Sequence, residues 1–60
     1  LKDYKGAIAD YTKAIEINSN SAYDFNERGK SKYELKDFIG AIADLTKAID
    51  LYPNYDNAYA

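Results

Sequence analysis

Apolar residues recur along this chain in two helical stripes. Phe38, Ala41, Ile42, Leu45, Ala48, Ile49 and Tyr52 stand three and four positions apart, the spacing of one helix face. Tyr4, Ala7, Ile8, Tyr11, Ala14 and Ile15 repeat that spacing near the start. Asp3 and Asp37 precede the stripes, where a carboxylate accepts from the free N–H groups of a first helical turn. Pro53 and Asn54 end the second stripe; Ser19 and Asn20 end the first with weaker breaker chemistry. The pattern predicts helices over about 3–17 and 37–52. No proline interrupts the segment between them, and Gly29 is its one weak helix former. Ser21 followed by Asp24 resembles a capping box with Asp in place of Glu. A third helix is therefore predicted over about 22–34, with Tyr23, Phe25, Asn26, Gly29 and Tyr33 grouped on one face.

The two stripes are copies of each other. Residues 1–20, LKDYKGAIADYTKAIEINSN, align without a gap on residues 35–54, LKDFIGAIADLTKAIDLYPN, and 13 of the 20 positions are identical. The offset is 34 residues. Identity stops afterwards: residues 21–26 and 55–60 share no identical position, although Phe25 and Tyr59 keep an aromatic in register. The strongly repeated unit is thus GAIAD-x-TKAI, seen twice, on the helices that flank the middle one.

Two helices per 34 residues is the period of the tetratricopeptide repeat, and the chain resembles that family. Its pattern asks for an aromatic, Leu-Gly and Tyr on the first helix, then Ala, an aromatic and Pro on the second. Phe25, Gly29, Ala41, Leu45 and Pro53 fit, whereas Arg28 and Lys32 stand where the pattern has Leu and Tyr. At those two positions the aliphatic stems are expected to lie on apolar surface while the charges reach water. The resemblance implies an all-α fold, with antiparallel helix-turn-helix repeats stacked as a right-handed α-solenoid. It divides the chain into the second helix of a truncated repeat (1–20), one complete helical hairpin (21–54) and the start of a further repeat (55–60).

The same resemblance implies a protein–protein interaction scaffold, whose partner peptide or helix lies in a groove lined by the first helix of each repeat. On this chain the corresponding groove residues are Tyr23, Asn26, Lys30, Tyr33 and Glu34. Aromatics, an amide and both charge signs on one strip suit an extended peptide or a partner helix. A plainer reading has the tyrosines packing on neighbouring helices and Lys30 with Glu34 as a solvated i,i+4 pair. A carboxylate clamp for acidic chaperone tails is disfavoured, because Glu27 stands where that clamp has Asn and Asn57 where it has Lys. The alternative function is a structural, self-associating repeat segment without a specific ligand.

Composition narrows the remaining classes. The chain has 60 residues, no cysteine and no histidine, which leaves no disulfide and removes the commonest general base and metal ligand. No Gly-rich phosphate loop, nucleophile elbow or metal-ligand cluster is present in the sequence, so no catalytic residue, cofactor or metal is expected. Asp10 and Asp44 are read as solvated carboxylates on exposed helix faces, each followed three residues later by Lys13 or Lys47. The net charge of −2 and pI near 4.8 argue against RNA binding, which wants clustered basic residues. No apolar run approaches the roughly 18–20 residues of a membrane span. The lack of cysteine is compatible with a cytoplasmic protein.

So short a chain builds a marginal core on its own, since roughly 70–80 residues are usually needed. Tyr4, Ile8 and Tyr11 on one side, and Ile42, Ile49 and Tyr59 on the other, are expected to be exposed. The chain is therefore expected either to belong to a longer repeat array or to self-associate.

Overall fold

The fold is that of a computed structural model, which describes residues 2–51. Three helices follow one another: α1 (Tyr4–Ile17), α2 (Ala22–Glu34) and α3 (Phe38–Leu51). These bounds agree with the periodicity of the apolar stripes. Pro53, Tyr59 and the segment 55–60 lie outside the described residues.

Each helix start is fixed by a short polar side chain. The Asp3 carboxylate accepts from the Gly6 N–H at 2.9 Å, and the Asp37 carboxylate accepts from the Gly40 N–H at 3.1 Å. Ser21 Oγ accepts from the Asp24 N–H at 3.3 Å, which is one half of a capping box. The end of α1 is set by Asn18 rather than by Ser19 and Asn20 alone. Asn18 leaves the helical region, with φ −139° and ψ 95°, and its side-chain oxygen accepts from the Asn20 N–H at 3.1 Å.

The end of α2 is a tighter device. Lys36 takes a left-handed conformation, with φ 68°. Its N–H donates to Tyr33 O at 2.9 Å, and the Asp37 N–H donates to Lys32 O at 2.9 Å. This is the paired hydrogen-bond pattern of a Schellman ending. Asp37 thereby closes α2 through its backbone and opens α3 through its side chain. Connections this short make sequential helices antiparallel neighbours.

α2 is the central element and packs against both α1 and α3. The core is built from small residues around one large one: Ala22, Phe25, Gly29, Ala41 and Ala48 are buried. Burying the Phe25 ring contributes about 1.5–3 kcal/mol. At Gly29, α2 lies tight against α3. A Cβ there would stand 2.9 Å from Leu45 Cγ and 3.1 Å from Asp44 Cβ, so any larger residue pushes the helices apart.

Two expectations about exposure separate here. Ile42 and Ile49 are 65% and 45% exposed, as the stripe on α3 implies. Tyr4, Ile8 and Tyr11 are half-buried instead, because α2 packs against α1. Tyr11 lies beside Glu27 and Tyr23, and burial followed by the Glu27 charge pushes its phenol above the ordinary value.

Candidate functional site

One strip of α2 stays partly open between the two flanking helices. Successive residues turn by about 100° around a helix axis, which places Tyr23, Asn26, Lys30, Tyr33 and Glu34 on the same side. Tyr23 is 52% and Tyr33 58% exposed. Lys30 and Glu34 are also exposed. Asn26 differs from its neighbours: at 8% exposure it lies beneath the strip rather than on it.

Lys30, Tyr33 and Glu34 line a cleft of about 420 Å³ together with Glu27 and, from the start of the chain, Lys2 and Tyr4. Tyr23 and Asn26 lie outside that cleft. Among the described residues, Lys30 pairs with Glu27 at 3.5 Å and not with Glu34, whose carboxylate lines the cleft. Such an exposed pair is worth little. Tyr33 stacks edge-on against Phe38, with ring centroids 5.3 Å apart and planes at 62°. One end of the strip is thus a tyrosine already held in place by the α2–α3 turn.

The opposite side of α2 carries an ion-pair lock that inspection of single helices does not find. Arg28 donates from Nε to Asp44 Oδ2 and from Nη2 to Asp44 Oδ1, both at 2.8 Å. Its Nη1 donates to Thr12 Oγ1 at 3.2 Å. Lys32 Nζ lies 3.1 Å from Asp44 Oδ2. A bidentate guanidinium–carboxylate pair is short, directional and strong. The guanidinium also sits 5.4 Å from the Phe25 ring centroid, within cation–π range. One side chain of α2 therefore ties α1 to α3.

This corrects the reading of three residues. Asp44 is not a solvated carboxylate beside Lys47; it is 4% exposed and held by α2. Among the described residues, neither Lys13 nor Lys47 makes an ion pair. Arg28 and Lys32 do not reach past the core into water; their charges end on Asp44. Burial pushes the Asp44 carboxyl up, but the hydrogen bonds from Arg28 and Lys32 outweigh it and hold it below the usual carboxylate range. The bond to Asp44 likewise raises Arg28 above its ordinary value, against a smaller effect of burial. Two basic residues four apart where the repeat pattern wants apolar ones were the available signal. Asp44 completes it, three residues after Ala41 and four before Ala48.

Among the described residues, no group of three or more Asp, Glu, His or Cys side chains is arranged to hold a metal ion. No described helix is long and apolar enough to cross a membrane.

Two antiparallel helices closed on small residues, preceded by a copy of the second, define a helical-hairpin repeat protein. The model of the tetratricopeptide repeat family matches residues 1–21 and 25–55, and the chain belongs to that family. No curated protein and no solved structure matches it. Tetratricopeptide repeats generally serve as non-enzymatic scaffolds for protein–protein interaction.

Proposed function

We propose that this chain is a protein-binding scaffold segment that holds a partner peptide or helix along the partly exposed strip of α2, and has no catalytic role. The contact residues are Tyr23, Lys30, Tyr33 and Glu34, with Asn26 supporting them from below. In this reading residues 1–20 end one repeat, 21–54 form a complete hairpin and 55–60 begin the next, within a right-handed solenoid. The observation that carries it is the pair of tyrosines that stay more than half exposed although each meets a flanking helix, Tyr23 beside Tyr11 of α1 and Tyr33 against Phe38 of α3. An exposed tyrosine held on one side by a neighbour supplies apolar area and a hydroxyl at low entropic cost. Glu27, Lys30 and Glu34 set the charge pattern a partner must match.

A second reading rests on α3. Leu35, Phe38, Ile39, Ile42 and Ile49 are all exposed and fall along one side of the hairpin, which favours self-association. A peptide-array screen followed by titration separates the two. Saturable binding that Tyr23→Ala weakens at least tenfold, with helicity unchanged, supports the groove. Concentration-dependent assembly without peptide binding supports the alternative. Tyr23→Ala and Tyr33→Ala each also remove a contact with a flanking helix, to Tyr11 and to Phe38, so unchanged helicity is required of both.

A further inference from the structure

We propose that the outer edge of α3, centred on Ile39 and Ala43, is a contact surface for a second copy of this chain packed antiparallel across it. The proposal rests on the self-association reading above and leaves the α2 strip free. Of the differences between residues 4–17 and 38–51, Lys5 against Ile39 alone replaces a charge by an apolar side chain. Ile39 is 86% exposed, more than any other large apolar residue among those described. α1 shows which positions an adjoining helix leaves open. With α2 packed on it, Tyr4, Ile8 and Ile15 are half-buried, while Lys5, Ala9, Lys13 and Glu16 stay exposed. Their equivalents on α3 are Ile39, Ala43, Lys47 and Asp50. A helix packed on α3 as α2 packs on α1 therefore leaves Ile39 in water.

The charges along this edge specify the occupant. At about 100° per residue, Ile39, Ala43, Thr46 and Asp50 fall within roughly 60° of arc, and all four are exposed. Lys36 is exposed just before α3, and Asp50 lies near its end. Opposite charges therefore bracket an apolar centre. Such a surface is complementary to itself when two copies run antiparallel, which is the requirement of a two-fold interface. Pairing about Ala43 sets Ile39 of each copy against Ala43 and Thr46 of the other. It also brings each Lys36 towards Asp50 of the other copy. Ala43 at the two-fold is small enough for the helices to approach closely. A parallel pairing would oppose like charges at both ends, which costs free energy.

Sedimentation equilibrium of the full 60-residue chain tests this, with circular dichroism checking that each variant keeps its helicity. The proposal expects a reversible dimer. Ile39→Lys, which installs the residue found at the matching place on α1, should weaken it by about tenfold or more. Ile49→Lys, on the face that α1 gives to an adjoining helix, should weaken it less than about threefold. Lys36→Glu should also weaken the dimer by about tenfold, and adding Asp50→Lys should restore it to within about threefold. A non-specific apolar contact would not show that rescue. A monomer at every concentration would overturn both this interface and the self-association reading. Assembly lost with Ile49→Lys but kept with Ile39→Lys, or a double charge reversal that fails to restore the dimer, would overturn this interface alone.

Discussion

α1 and α3 carry the same five residues at the same place, Gly-Ala-Ile-Ala-Asp at 6–10 and at 40–44, yet they end in different environments. On α3 the aspartate is buried, bidentately held and flanked by two alanines with essentially no exposure. On α1 the aspartate is exposed and the alanines half-buried. Conversely, the Tyr4–Ile8–Tyr11 side of α1 is partly covered by α2, while the matching Phe38 and Ile42 of α3 are exposed. Each copy thus presents two faces, and α2 occupies a different one on each. Burial in such a repeat belongs to the helix pair, not to the helix.

The largest consequence concerns Arg28. Breaking a buried ion pair by removing one partner costs about 3–5 kcal/mol, comparable to the whole stability of a domain this small. Arg28→Ala is expected to abolish the cooperative melt followed by circular dichroism. Arg28→Leu combined with Asp44→Leu is expected to be less damaging than either change alone, because no carboxylate is then left unpaired. If the double variant were the least stable of the three, the lock would not be the organising contact between α2 and α3.

A smaller effect separates the alanines. Ala48 has no room, so Ala48→Leu should cost about 1–3 kcal/mol through overpacking. Ala14→Leu, at the equivalent half-buried position, should cost clearly less in the same urea melts. Equal losses would mean that the two faces are not as different as their exposures indicate.

Much of this was legible in the sequence. The 3.6-residue stripes placed α1 and α3, the lack of proline and the Ser21–Asp24 signal placed α2, and Asp3, Ser21 and Asp37 were recognisable as caps, because these are local signals within a few residues. The left-handed Lys36 was not, since nothing in its identity demands φ of 68°; the need to close α2 and open α3 on one aspartate imposes it. The Arg28–Asp44–Lys32 lock escaped because its parts lie 12 and 16 residues apart on different helices. Each looks solvated when its own helix is read alone. Asn26 was read as a groove residue but is buried, because burial depends on how closely a neighbour approaches, which periodicity does not encode. The Lys30 partner was missed for a simpler reason: Glu27 and Glu34 are both within one turn, and side-chain geometry chose the nearer turn.

The most direct test is the pH dependence of stability in Asp44→Asn and Asp10→Asn, each measured against the unmodified chain by urea melts from pH 7 down to pH 3. Asp44 has a folded-state pKa below its unfolded value of about 3.9. Its contribution is therefore complete above that value and is lost as pH falls through the lower, folded one. The account predicts a large deficit for Asp44→Asn that holds constant from pH 7 to about pH 4 and shrinks below it. For Asp10→Asn it predicts a change within about 0.5 kcal/mol at pH 7, as for an ordinary surface substitution. Equal deficits for the two variants, or an Asp44→Asn deficit that stays flat through the acid range, would contradict it.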